Sequence, residues 1–251
     1  MTMKPLDPRL KSAAEFVREG AVVADIGTDH AYLPLWLLAA GRARFAVVSD
    51  VRRGPLERAR KNAADSGLTE KMRFVLTDGL TGLEPERDGV TDILVCGMGG
   101  ELIARIVDGS AYPKRPGVRL ILGPMSSPEE LRRYLAENGF RILGESLSES
   151  GGRRYATLLS EYDGIGRDFT PAELLLGKCN IEDNAPLFRD FAGEWLDRVN
   201  VRIEGRRRGG LDVREDEALR DEIIRILDRI QILDRIRIPD GKRTAEGGDK
   251  A

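Results

Sequence analysis

The stretch AVVADIGTDHAYLPLWLLAA, residues 21–40, decides how the rest of the chain is read. It opens as an apolar run, breaks at Asp25-Ile26-Gly27-Thr28-Asp29-His30-Ala31, and resumes as a second apolar segment with Pro34 near its start. Continuous rather than alternating apolar character predicts a strand buried on both faces. A proline near the first turn of the following segment predicts a helix over 31–40. Strand, tight turn and helix in that order form the first half of a parallel βαβ unit. In a doubly wound sheet this turn lies where ligands bind beside the strand ends. Gly27 is the only glycine in the turn, so the G-x-G-x-x-G of dinucleotide enzymes is absent.

Working outward, the same alternation repeats. FAVVSD (45–50), MRFVLTD (72–78), DILVCG (92–97) and RLILGP (119–124) are further apolar runs that stop at Asp, Gly or Pro. Helical patterns lie between them at 54–66, 100–108 and 127–138; the last opens on Ser127-Pro128-Glu129-Glu130 and stops at Asn138-Gly139. FRILGESLSE (140–149) and RRYATLLSEY (153–162) flank Ser150-Gly151-Gly152, a hairpin signal. The fold class is therefore α/β: a Rossmann-like, mostly parallel sheet with an antiparallel edge hairpin. After about Ile165 the periodicity becomes helical. Phe188, Phe191, Trp195 and Val199 form one stripe, and Leu219, Ile223, Ile226, Ile230 and Leu233 form a second. Gly209-Gly210 lies between them, which predicts a C-terminal helical hairpin. The expected domains are 1–163, 164–238 as a coiled-coil-like appendage, and a disordered tail at 239–251 that lacks an apolar anchor.

Composition narrows the classes of function. No segment approaches the run of about 20 apolar residues that a membrane span requires. MTMKPLDPRLKSAAEF at the start lacks the apolar core of a secretory signal. Two cysteines, Cys96 and Cys179, and a single histidine exclude a disulfide framework and a Cys/His zinc site. The expected protein is cytoplasmic, without metal or membrane partner, and a monomer or weak homodimer. A net charge of −2 argues against non-specific nucleic-acid binding but leaves room for local basic patches.

The strand ends carry the chemistry. Asp25 and Gly27 end the first run, Asp50 the second, Asp78 and Gly79 the third, and Cys96, Gly97, Met98 and Gly99 the fourth. An acidic residue at the second strand end can accept hydrogen bonds from both hydroxyls of a ribose. Each of these residues taken singly also reads as an ordinary turn or cap. Four consecutive strand ends on one edge of the sheet read together as a nucleoside-cofactor site of the methyltransferase kind. His30 lies in the same turn, where it is either structural or part of the site. Tyr32 is either core or a pocket wall, and Met98 either lines the pocket or fills core.

VADIGTDHAYLPLWLL (23–38), DVRRGPLERARKNA (50–63), Asp78-Gly79-Leu80, CGMGGELI (96–103) and GPMSSPEELRRYLAENGF (123–140) together resemble the bacterial TrmK-type tRNA (adenine-N1)-methyltransferases. The resemblance extends over nearly the whole chain, with Gly123 standing where that family leads one to expect glutamine. It implies a class I methyltransferase fold, S-adenosylmethionine as cofactor, and methylation of the adenine at position 22 in the tRNA D-loop. By that resemblance Asp25, Gly27, Asp29, Asp50, Asp78, Gly79 and Cys96 to Gly99 face the cofactor. Asp29, His30 and Tyr32 are the candidate catalytic residues. Asp29 would accept from the adenine N6 amine and offset the cationic product, while Tyr32 would stack on the displaced base. Two arginine clusters are candidates for tRNA phosphates: Arg202, Arg206, Arg207 and Arg208 with Arg198 on the appendage, and Arg52, Arg53, Arg58, Arg60 and Lys61. The acidic stretch 212–222 either faces solvent or pairs with the first cluster. The alternatives are a methyltransferase for another RNA or a small molecule, and a non-catalytic RNA-binding protein that retains the fold.

Overall fold

Seven strands form one sheet: β1 (Ala21–Ile26), β2 (Ala43–Asp50), β3 (Met72–Leu76), β4 (Asp92–Gly99), β5 (Arg119–Ser126), β6 (Phe140–Ser150) and β7 (Arg153–Tyr162). The computed structural model describes residues 5–237. Among the described residues, ten α-helices accompany the strands: α1 (Pro8–Phe16), α2 (Tyr32–Ala39), α3 (Arg53–Asp65), the single turn α4 (Pro85–Asp88), α5 (Gly100–Asp108), α6 (Pro128–Glu137), α7 (Pro171–Leu176), α8 (Lys178–Asp183), α9 (Phe188–Arg208) and α10 (Arg214–Arg237).

The strand order is β3-β2-β1-β4-β5-β7-β6. β1 to β5 pair in parallel, and β7 is antiparallel to both β5 and β6. The hairpin thus closes the edge as expected, with β7 turned inward and β6 outermost. All six residues of β1 are buried, as a central strand covered on both faces requires. Its alternate side chains serve two cores. Val22, Ala24 and Ile26 pack with Ile103 and Val107 of α5 and Leu131 and Leu135 of α6. Ala21 and Val23 pack with α1, α2 and α3 through Ala13, Leu37 and Ala59. The order reverses between β1 and β4, so the switch point lies at their carboxyl ends.

The first compact unit runs to Phe188, beyond the boundary expected at 163. A buried ion pair accounts for the extension. Arg132 of α6 and Glu145 of β6, both with fully buried side chains, meet at 2.7 Å. Arg132 also donates to the carbonyls of Leu174 and Leu175, and the other Glu145 oxygen accepts from Cys179 N–H. These bonds satisfy the open end of α7 and the start of α8, so both helices belong with the sheet. A capping box between Thr170 and Glu173 starts α7.

The second unit holds the rest of α9 and α10. Gly210 (φ +68°) turns the chain between them, in a conformation glycine adopts without strain. The pairs Arg202–Asp216, Arg206–Asp216 and Arg207–Glu217 bring the end of α9 against the start of α10, as a helical hairpin requires. The tail expected at 239–251 lies outside the described residues. No described helix is long and apolar enough to cross a membrane.

Candidate active site

The turn after β1 is held from three sides. Gly27 takes φ +76°, and the N–H groups of Gly27 and Thr28 both donate to the carbonyl of Ser49 at the end of β2. Ala31, the residue before α2, sits at φ 56°, and its N–H donates to Thr28 Oγ1 at 3.0 Å. No side chain caps α2, so the Asp29 carboxylate does not serve as its cap and is available for other work. From α3, Asn62 donates to the carbonyl of His30 at 2.9 Å, and Arg58 pairs with Asp29 Oδ1. The second Asp29 oxygen lies 3.2 Å from His30 Nε2. The Arg58 guanidinium holds the Asp29 carboxyl below the usual range. His30 stacks on Tyr32, with centroids 5.0 Å apart and planes 13° from parallel. Tyr32 is 44% exposed, so the core alternative for this residue falls.

Beside the turn is a cavity of about 270 Å³. Asp25, Gly27, Asp29, His30, Tyr32, Cys96 and Gly97 all line it, so most of the expected site converges there. Asp25 is buried, and burial pushes its pKa up to about 6 against the opposing hydrogen bond from Thr28. Burial, with the Asp25 charge beside it, pushes the Cys96 thiol up to about 12, so Cys96 is a neutral wall rather than a nucleophile. Gly97 (φ +86°) forms a bulge in β4, where the register with β5 shifts on either side of Met98. The bulge aims Met98 at the turn: a Cβ on Gly27 would stand 1.8 Å from Met98 Cε. Gly123 faces Cys96 across the β4–β5 pairing, and a Cβ there would come within 3.1 Å of its sulfur. Glycine at 123 thus makes room for the thiol.

The remaining expected residues lie along the same sheet edge, outside that cavity. Asp50 is buried, and its Oδ1 accepts from Arg52 N–H at 2.7 Å. Asp78 and Gly79 line a separate recess with Leu102 and Ile106. Gly99 precedes α5, and a Cβ there would stand 3.1 Å from Ser126 Oγ.

This arrangement has known counterparts. The family profile for a methyltransferase domain matches residues 6–158. The tRNA (adenine(22)-N(1))-methyltransferase of Bacillus subtilis is 34% identical over 168 residues, covering 64% of this chain and 69% of that protein. The chain belongs to the TrmK-type methyltransferase family. A Streptococcus pneumoniae protein solved in complex with S-adenosyl-L-methionine superposes with a TM-score of 0.77 at 32% identity, over 89% of this chain and 100% of its own. The crystal structure of the Bacillus subtilis M1A22 tRNA methyltransferase TrmK does so with a TM-score of 0.74 at 27% identity, over 94% and 99%.

In this TrmK-type chain the sequence reading missed one wall of the cavity. Arg9 and Leu10 of α1, Met125 of β5, and Tyr155 and Thr157 of β7 complete it. The signal for α1 was Asp7-Pro8, a cap followed by a proline at the first helical position, and Asp7 Oδ1 does accept from Arg9 N–H. Of the two alternatives for the acidic stretch 212–222, the structure takes the pairing one. Arg202 and Arg206 share Asp216, Arg207 pairs with Glu217, and Arg208 lies 3.3 Å from Glu204. The acidic start of α10 faces them because the hairpin brings the two helix ends together. Much of the positive charge counted from sequence is therefore matched locally.

Proposed function

We propose that this chain transfers a methyl group from S-adenosylmethionine to N1 of adenine 22 in tRNA, the reaction named for its Bacillus subtilis relative. The observation that carries the reading is the gathering of Gly27, Asp29, His30 and Tyr32 in one cavity at the switch point of the sheet. The residues present fit the cofactor. Gly27 lines the cavity with bare backbone, and among the described residues Asp50 Oδ2 has no hydrogen-bond partner to compete with a ribose hydroxyl. Asp25, Gly27 and the Cys96–Gly99 bulge would hold the amino-acid end, Asp50 the ribose, and Asp78 with Gly79 the adenine edge. The cofactor supplies an electrophilic methyl group on a sulfonium.

Adenine N1 carries an in-plane lone pair, so the protein needs orientation more than a strong base. Asp29 is held at the cavity by Arg58 and His30, which engage one oxygen each. A carboxylate has about four acceptor positions, so it can still accept from the adenine N6 amine. Its charge then offsets the cation that develops on the ring, tempered by Arg58. Tyr32, backed by the His30 ring, offers a face on which an extruded base can stack. Arg202, Arg206, Arg207 and Arg208 contribute to the tRNA-facing surface to the extent that their carboxylate partners release them. The work is done in the cytoplasm by a monomer or weak homodimer. Mass mapping of nucleosides from tRNA incubated with protein and cofactor tests the reading. 1-Methyladenosine at position 22, absent from tRNA carrying guanine there, is the expected result; an unmodified adenine 22 refutes it.

A further inference from the structure

A base that enters the cavity brings its sugar–phosphate to the mouth, and the walls include a cation suited to meet it. Among the described residues that line the cavity, Arg9 is the one arginine or lysine. Its orientation is set before any ligand arrives. Asp7 accepts from Arg9 Nε at 2.8 Å and from Nη2 at 3.2 Å, while the same carboxylate caps α1 through Arg9 N–H and accepts from Ser150 Oγ at 2.9 Å. The guanidinium lies over the Tyr155 ring, 5.2 Å from its centroid. That leaves Nη1, whose one acceptor among the described residues is Met125 Sδ. A thioether is a weak acceptor, so this edge of a fixed guanidinium is poorly satisfied. The side chain remains about a third exposed, so the edge can be reached.

We propose that Arg9 is a phosphate-binding residue that takes a phosphodiester oxygen flanking the target adenine through its Nη1 edge. The inference rests on the RNA-methylating reading above and adds to it a contact from α1. Asp7 and Tyr155 have already restricted the guanidinium, so little side-chain entropy is lost when the phosphate arrives. Met125 Sδ yields its place to an anionic oxygen, a far stronger acceptor. With the base stacked beside Tyr32 and its phosphate on Arg9, the nucleotide is fixed at both ends across the cavity. This is what in-line transfer to a ring nitrogen demands.

The test uses the full chain and tRNA. Arg9→Gln should weaken tRNA binding by about tenfold, the typical worth of a hydrogen bond to a charged group. It should also reduce the slope of log affinity against log salt by about 0.7–0.9, one phosphate contact. Arg9→Lys should keep the slope. Affinity for S-adenosylmethionine should stay at the wild-type value in both variants, and both should melt cooperatively, Arg9→Gln at a somewhat lower midpoint because it gives up the Asp7 pair. In parallel, tRNA carrying a neutral methylphosphonate at either linkage beside adenine 22 should bind wild-type protein about tenfold more weakly at one of the two positions. Arg9→Gln should be indifferent to that replacement. A full salt slope in Arg9→Gln, equal sensitivity of both proteins to the methylphosphonate, or wild-type affinity with both modified tRNAs overturns the assignment. If Arg9→Gln does not fold, Arg9→Met takes its place in both arms. Failure of wild-type protein to methylate tRNA at all would strike the parent reading instead, so the two failures are told apart.

Discussion

Asp25→Asn should make the protein more stable at neutral pH while it weakens cofactor binding. Asp25 ends β1 with its carboxyl buried, and burial raises its pKa from 3.8 to about 6. A folded-state value above the unfolded one means the native protein holds this proton more tightly. The group therefore favours folding most below pH 3.8, and that contribution is lost as pH rises through about 6. Two pKa units correspond to about 3 kcal/mol, the native-state cost of keeping Asp25 ionised at pH 7.5. Asparagine keeps the shape without the charge. The variant should gain up to about 3 kcal/mol at pH 7.5, seen as a rise of about 5–10 °C in Tm for a unit of this size. At pH 4.5 the wild-type carboxyl is largely protonated in the native state but still mostly ionised in the unfolded chain, so the gap between the two proteins should shrink to about 1 kcal/mol, roughly a third of that. Calorimetry at pH 7.5 should show weaker S-adenosylmethionine binding, by about tenfold or more, because the cationic amino-acid end loses its carboxylate. Paired thermal melts at the two pH values, with titrations at the higher one, constitute the assay. A variant less stable than wild type at pH 7.5, or a gap that does not change with pH, would show that Asp25 is not a strained buried charge. Unchanged cofactor affinity would remove it from the site.

Three further outcomes follow from the same geometry. Gly27→Ala places a methyl where Met98 Cε stands and forces φ +76° on an L-residue, so it should cost about 1–2 kcal/mol in a denaturant titration and abolish measurable cofactor binding; retained binding would place the cofactor elsewhere. Asp29→Asn should lower single-turnover methylation by about 10²-fold with cofactor affinity intact. Because Asp29 makes no capping hydrogen bond to α2, a wild-type rate could not be attributed to a surviving helix cap and would exclude Asp29 from the chemistry. Glu145→Leu strands the buried Arg132 charge and should cost about 3–5 kcal/mol, while Arg132→Met with Glu145→Leu should recover most of it; an additive double variant would contradict the pairing.

The seven strands and four of the five α-helices between them, all but the single turn α4, were legible in the sequence because a strand covered on both faces must be apolar throughout, and the chain must break at Gly, Asp or Pro to turn back. The strand-end residues were legible for the same reason: polar groups at the limits of buried runs stand out. Asp25, Gly27, Asp29, His30, Tyr32, Cys96 and Gly97 did meet in one cavity. Contacts made across the chain were not legible. Local pattern carries no signal that Arg9 and Tyr155, at opposite ends of the first unit's chain order, share a wall, or that α7 and α8 are tied to the sheet by Arg132 and Glu145. Whether the acidic stretch 212–222 faced solvent or the arginines of α9 stayed open until the hairpin set Asp216 and Glu217 against them. Periodicity follows from burial along one element and is therefore written in the sequence. Which charge neutralises which, and which distant side chains close a cavity, depends on distances that exist only once the elements have packed.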